Sequence, residues 1–213
     1  MGIKARDLGP EVPRRGNAFG QIVGELLLKL LRWQVTGVPL TAPKAMFIGA
    51  PHTSNRDGLV AVAAILALRL NINVMMKAEL FVGPFGKLFH WFGMRPVVRS
   101  KSMGLVEQSA QQFRDNERLY LGIAPEGTRH AAKSWKLGFY HIAVMAGVPI
   151  QPFSLNFGER KLEFFPLFHP TGDVEADMKY LIGLYRGVVP ADPSRLSLPL
   201  RELNGLSEPA VKE

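Results

Sequence analysis

The chain has 213 residues, no cysteine and 47% hydrophobic residues. That length suits one domain with a core of its own, and the missing cysteines exclude disulfide scaffolds, thiolate metal sites and cysteine nucleophiles. The net charge of +8 points to an anionic partner: a phosphate ligand, a membrane surface or nucleic acid.

Residues 1–16, with several Gly and Pro and the pair Arg14-Arg15, read as an irregular arm. From Asn17 to Val35, Phe19, Ile22, Val23, Leu26, Leu27, Leu30 and Leu31 recur at helical spacing. Such an amphipathic helix suits either a core or the headgroup layer of a membrane. After Gly37–Pro39 the pattern alternates. Ala45–Ala50 reads as a buried strand, Gly58–Leu70 as a buried helix and Ile72–Met76 as a second strand. Pro84–Phe92 is expected to be a helix ended by Gly93, and Pro96–Arg99 a short strand. Six basic side chains fall between residues 69 and 101 (Arg69, Lys77, Lys87, Arg95, Arg99, Lys101) against one acid, Glu79.

A polar-faced helix follows over Met103–Asn116, a strand over Leu119–Ala124 and a helix over Leu137–Ala146, stopped by Gly147. Val148–Leu155 reads as a strand whose Pro149 and Pro152 suggest a sheet edge or a strand end. Leu162–Phe165 is a further strand, and Asp173–Gly187 a last helix capped through Thr171-Gly172-Asp173. The rest reads as a tail lying on the surface. Strand–helix alternation predicts a single α/β domain: a mostly parallel or mixed central sheet with helices on both faces, plus the N-terminal amphipathic helix. The division is residues 1–36, arm and interfacial helix, and 37–213, catalytic domain with its C-terminal helix and tail. The longest apolar run, Leu59–Leu68, is ten residues, short of the roughly 18 that span a bilayer. With no signal peptide expected, the protein is placed in the cytosol or on a membrane facing it.

Two loops at predicted strand ends carry the chemistry. In Pro51-His52-Thr53-Ser54-Asn55-Arg56-Asp57, four residues separate His52 from Asp57. A chain turning into a helix at Asp57 brings its carboxylate onto one imidazole nitrogen, leaving the other to take a proton from a hydroxyl. The bland reading makes Asp57 a helix cap. The second loop is Pro125-Glu126-Gly127-Thr128-Arg129. Gly127 permits close backbone approach to an anion, Arg129 offers a fork of donors suited to phosphate, and Glu126 suits orienting that arginine or accepting from a substrate hydroxyl. Alone, it reads as an ordinary polar turn with a surface ion pair. His90, Trp91, Trp135, Phe139, Tyr140 and His141 read as core residues, and no metal pattern is present.

Together the loops and the segment between them resemble the glycerolipid acyltransferases, the 1-acyl-sn-glycerol-3-phosphate acyltransferase family. The likeness runs over about residues 45–155 in four ordered blocks: His52-x4-Asp57, Lys77 through Arg99, Glu126-Gly-Thr-Arg129, and Val148-Pro-Ile-x-Pro152. The resemblance implies that His52 is the general base and Asp57 the carboxylate orienting it. Arg129 would grip the acceptor phosphate, with Glu126, Gly127 and Thr128 shaping the pocket and Lys77 and Arg99 adding contacts. It also implies direct attack of a lysophospholipid hydroxyl on an acyl-CoA or acyl-ACP thioester, giving phosphatidate from 1-acylglycerol 3-phosphate. No cofactor beyond that co-substrate is called for, and no Gly-x-Ser-x-Gly elbow is present. The acceptor makes a membrane surface a partner and the Asn17–Val35 helix an interfacial anchor.

Two positions depart from the family pattern: Arg56 stands where an aromatic is common, and Val98 where an acid often precedes the arginine. Glycerol 3-phosphate or a lyso-aminolipid is therefore an alternative acceptor, and a non-catalytic anionic-lipid-binding protein is the rival from another class. Nucleic acid is set aside, because the aromatics lie in apolar segments instead of between basic residues.

Overall fold

The computed structural model describes residues 2–77, 83, 86, 95–97 and 102–206. Among them are seven strands: β1 (Gln34–Gly37), β2 (Lys44–Ala50), β3 (Ile72–Lys77), β4 (Arg95–Val97), β5 (Leu119–Ile123), β6 (Ile150–Asn156) and β7 (Lys161–Phe164). The helices are α1 (Ala18–Leu30), α2 (Asn55–Leu68), α3 (Ser102–Asp115), α4 (Gly138–Ala146), α5 (Val174–Gly183) and α6 (Leu198–Leu203). The strands form one sheet in the order β1-β7-β6-β2-β5-β3-β4. β2 through β6 run parallel, and β7, antiparallel to β6, carries β1 beside it. The expected mixed α/β sheet is present. The helix expected over Pro84–Phe92 lies outside the described residues, as does the Val98–Arg99 end of the strand expected there.

Strand β2 shows why the sheet sits between two layers. Its side chains alternate by the two-residue period of a strand. Ala45 and Phe47 join the core beneath α1 and α2, whereas Met46, Ile48 and Ala50 join the core built by α4, α5 and the C-terminal residues Leu196 and Leu200. Gly49 leaves room for the Phe153 ring, which a Cβ there would meet at 2.3 Å.

Sequence and structure differ at definite places. The helix expected to Val35 stops at Leu30: Arg32 takes a left-handed φ of 59°, and Trp33 N–H donates to Leu28 O (2.8 Å), a Schellman closure. The chain then enters β1, so the expected boundary at residue 36 falls inside a strand. The N-terminal arm is irregular but packed, with Leu8 and Val12 buried. β6 is interior, not an edge. Pro152 is tolerated because the β7 ladder begins only at Phe153, so no partner is missing at the proline nitrogen. His141 is exposed on α4, while Trp135, Phe139 and Tyr140 are buried as expected.

Helix α1 serves two faces. Asn17 caps it by accepting from Gly20 N (2.9 Å). Gly24 and Leu28 are buried against α2, whereas Phe19, Ile22, Leu26 and Leu30 point outward, with Phe19 74% and Leu30 70% exposed. The α1–α2 contact is backbone-close: a Cβ on Gly24 would lie 2.3 Å from Ala67 N and 2.7 Å from Ala63 O. At Gly20 the nearest atoms are 3.6 and 3.8 Å away, ordinary contact. Gly20→Ala should therefore gain roughly 0.5–1 kcal/mol from helix propensity, while Gly24→Ala should lose about 1–3 kcal/mol by forcing the helices apart. Urea denaturation of the two variants tests this opposition of sign.

Candidate active site

The site forms at the C-terminal ends of the parallel strands, where open α/β sheets bind ligands. β2 ends in Ala50, a cis Ala50–Pro51 peptide follows, and the chain turns into α2 within four residues. Ser54 is the N-cap, accepting from Arg56 N, and Asp57 at the third helical position completes a capping box with the Ser54 backbone. The helix thus starts at Asn55, three residues before the expected start, and Asp57 is a capping residue and a histidine partner at once.

Asp57 is 1% exposed. Its Oδ2 accepts from Thr53 N (2.8 Å), Ser54 N (2.9 Å) and His52 Nδ1 (3.0 Å). An ionised carboxylate in that position holds the proton of neutral His52 on Nδ1, so Nε2 carries the lone pair. The His52 side chain is 33% exposed, and its Nε2 makes no hydrogen bond among the described residues. The imidazole is fixed on one side and open on the other.

The second loop meets the first through Glu126, which lies at the end of β5. Its Oε1 accepts from the backbone N–H of His52 (3.1 Å), so this carboxylate reaches the histidine loop and not Arg129. Glu126 is 3% exposed, and its Oε2 has no partner among the described residues. Burial pushes its carboxyl from the ordinary value near 4.5 up to about 7. The backbone N–H groups of Glu126 and His52 offset this only in part, and the nearby Asp57 charge adds to it.

Gly127 takes φ +66°, the left-handed region that favours glycine. Its N–H donates to Ala124 O (3.0 Å) and is committed to the turn. Thr128 Oγ1 accepts from His130 N (3.2 Å). Arg129 is exposed at the rim, without an ion pair among the described residues. Lys77 ends β3, which runs parallel beside β5, at the same edge of the sheet; its side chain lies outside the described residues, as does Arg99. No group of three His, Asp or Glu side chains among the described residues stands as a metal site.

Two supports were not legible in the sequence. Thr53, 1% exposed, accepts at Oγ1 from Asp192 N (3.1 Å), so the C-terminal segment clasps the histidine loop. Buried Tyr185 donates to Ile48 O (3.3 Å). Burial raises its hydroxyl pKa well above the usual value, and the Glu126 charge adds to the rise. Both contacts join residues more than 130 positions apart, beyond any local pattern.

A family model described as acyltransferase matches residues 33–156. The chain belongs to that acyltransferase family. Among curated proteins it is similar to the 1-acyl-sn-glycerol-3-phosphate acyltransferase of Cocos nucifera, 28% identical across 67% of this chain and 48% of that protein. It is also similar to the enzyme of that name from Escherichia coli K12, 27% identical across 72% of this chain and 64% of that one. The chain thus spans about half to two thirds of the length of these relatives. The crystal structure of the 1-acyl-sn-glycerophosphate acyltransferase from Thermotoga maritima matches with a TM-score of 0.55 at 19% identity, covering 78% of this chain and 75% of that one. That likeness extends the fold assignment.

The raised Glu126 pKa has a consequence for stability. Between about 4.5 and about 7 the folded protein keeps a proton that the unfolded chain has released, so stability falls as pH rises through that window. Glu126→Gln, which retains an acceptor for the His52 N–H, should remove on the order of 3 kcal/mol of that dependence. Denaturation midpoints of both proteins from pH 4.5 to 8 check it; parallel curves would contradict a carboxyl buried in this way.

Proposed function

We propose that the protein transfers a fatty acyl group from a thioester, carried by coenzyme A or acyl carrier protein, to the free hydroxyl of 1-acylglycerol 3-phosphate. The observation carrying this reading is the His52–Asp57 pair, fixed at Nδ1 and open at Nε2, at the mouth of a site with an exposed arginine on the adjoining loop. His52 Nε2 takes the acceptor hydroxyl proton as that oxygen attacks the thioester carbonyl carbon. The tetrahedral intermediate collapses, the carbon–sulfur bond breaks, and the departing thiolate receives the proton from His52. Asp57 orients the ring and stabilises the imidazolium formed on the way. Arg129 holds the acceptor phosphate bidentately, on a loop shaped by Glu126, Gly127 and Thr128, with Lys77 and Arg99 adding positive charge. Since the Gly127 N–H is committed to its turn, other donors serve the oxyanion.

His52→Ala should lower turnover by about a thousandfold with an unchanged circular dichroism spectrum; near-wild-type turnover would remove the general-base role. Arg129→Ala should raise KM for lysophosphatidate and leave a phosphate-free monoacylglycerol acceptor unaffected. A panel with glycerol 3-phosphate and a lyso-aminolipid, each with labelled acyl-CoA and acyl-ACP, fixes acceptor and donor.

We further propose that the protein works at a membrane surface on the cytoplasmic side, seated through α1. Support comes from the outward row Phe19, Ile22, Leu26 and Leu30, with the exposed cations Lys29 and Arg32 at the same helix end. No helix among the described residues is long and apolar enough to cross a bilayer, and an amphipathic helix lies in the headgroup layer instead. Leu26→Glu, on the exposed face, should leave the thermal midpoint unchanged while sharply reducing sedimentation with phosphatidylglycerol vesicles. Undiminished sedimentation would assign the membrane contact to another surface.

A further inference from the structure

We infer that Arg56 and Arg160 form a second phosphate subsite, on the opposite side of His52 from Arg129, which takes the phosphate groups of the acyl-thioester donor. The inference rests on the acyl transfer proposed above and adds to it the place where the donor is held. A cavity of about 400 Å³ lies between the histidine loop and the end of α1, lined by Leu31, Trp33, Arg56, Phe157, Arg160 and Ala191. Its aromatic wall is rigid, with Trp33 and Phe157 packed edge to face at 4.8 Å between centroids. The Arg56 guanidinium lies 5.1 Å from the centre of the Phe157 ring.

Both arginines are exposed and neither has a carboxylate partner among the described residues. The neighbouring acids are already engaged: Glu159 with Lys161 at 2.6 Å and Asp192 with Arg195 at 3.1 Å. The cations stand on fixed backbone. Arg56 lies in the first turn of α2, four residues after His52. Arg160 closes the β6–β7 turn, where Asn156 Oδ1 accepts from Gly158 N and Glu159 N, and the Arg160 carbonyl accepts from Gln34 N (3.0 Å). Ala191 precedes Asp192, whose N–H is bonded to Thr53, so this cavity and the histidine loop share a wall.

Strand order decides which substrate suits this cavity. β2 lies between β6 and β5, so the loop carrying His52 is flanked by the Glu126–Arg129 loop after β5 and the Phe157–Arg160 turn after β6. Transfer between two phosphate-bearing substrates requires both to converge on one base without sharing a cation cluster. With the acceptor phosphate on the β5 side, the β6 side is left for the donor. Two guanidinium forks suit phosphate, and the apolar walls of Leu31, Trp33 and Phe157 suit the organic arm that bears it.

The test is the double variant Arg56→Ala/Arg160→Ala in the full chain, with thermal melting to establish that it folds. KM for whichever donor supports transfer, acyl-CoA or acyl-ACP, should rise about tenfold or more, the loss of at least one charged phosphate contact. KM for lysophosphatidate should stay within about twofold, and the wild-type dependence of donor KM on ionic strength should flatten. An unchanged donor KM, or a rise confined to the acceptor, would overturn the assignment. Equilibrium titration with coenzyme A and with holo acyl carrier protein reads the same site without turnover. A roughly tenfold weaker Kd in the variant would support the subsite even if lysophosphatidate proved the wrong acceptor. A wild-type protein that binds neither would overturn it, as would a variant defective only toward phosphatidylglycerol vesicles.

Discussion

One carboxylate oxygen, Oδ2 of Asp57, collects three donors from consecutive residues: the backbone N–H groups of Thr53 and Ser54 and the imidazole Nδ1 of His52. A buried charge requires such compensation, and here the compensation is itself the site. The backbone donors wrap the loop around the carboxylate, the capping box converts that loop into the first turn of α2, and the imidazole is drawn into one tautomer. Because α2 is also the helix against which α1 is seated, backbone to backbone at Gly24, the orientation of the base and the direction of the outward apolar row are set by one rigid body. In the proposed reaction, that coupling presents His52 at a defined angle to the surface from which a lipid acceptor arrives.

The site holds two buried carboxyl groups that differ in what satisfies them. Asp57 faces three donors on Oδ2, whereas Glu126 receives the His52 backbone N–H on Oε1; the second oxygen of each, Asp57 Oδ1 and Glu126 Oε2, is buried without a partner among the described residues. Desolvation therefore dominates at Glu126 and lifts its pKa to about 7, so near neutrality it shares a proton between the two forms. That rise suits its place, since a full second negative charge at the same depth as Asp57 would add a like-charge repulsion. Glu126 links the β2 and β5 loops while carrying less charge than its residue type implies.

What the sequence disclosed follows from how local each determinant is. The His52–Asp57 relation was legible because six residues of loop and first helical turn contain it entirely. α4 ended where expected because its left-handed closing residue is Gly147. α1 and α2 close the same way, but at Arg32 and Arg69 with φ of 59° and 54°, so nothing in the residue type announced the stop and the C-terminal end of each was read too far along the chain. β1 went unseen because four residues, Gln-Val-Thr-Gly, carry too little alternation, and its pairing with β7 joins positions 127 residues apart. The prolines suggested a sheet edge or a strand end for β6: Pro149 does directly precede the strand, whereas Pro152 lies inside it, and that the β7 ladder begins only at Phe153 is a property of the sheet. The reach of Glu126 to His52, and not to Arg129, likewise depends on β2 and β5 lying side by side.

A parallel sheet explains why these separate determinants meet. Strands running in one direction deliver the loops after β2, β5 and β6 to one edge, and their order places the histidine loop in the middle. A base in that position has two flanks, and a transfer reaction has two substrates. The covalent alternative, in which the enzyme carries the acyl group between half-reactions, needs a nucleophile beside the base. The chain has no cysteine, and the two hydroxyls nearest in sequence are engaged in structure: buried Thr53 accepts from the Asp192 N–H and Ser54 from the Arg56 N–H as the α2 cap. In the proposed reaction, acceptor and donor are therefore held at once, each by its own loop. The C-terminal segment fits the same logic: it fixes the central loop by bonding Thr53 through Asp192 and packing Leu196 and Leu200 into the core, while Ala191 beside that bond lines the cavity on the β6 flank.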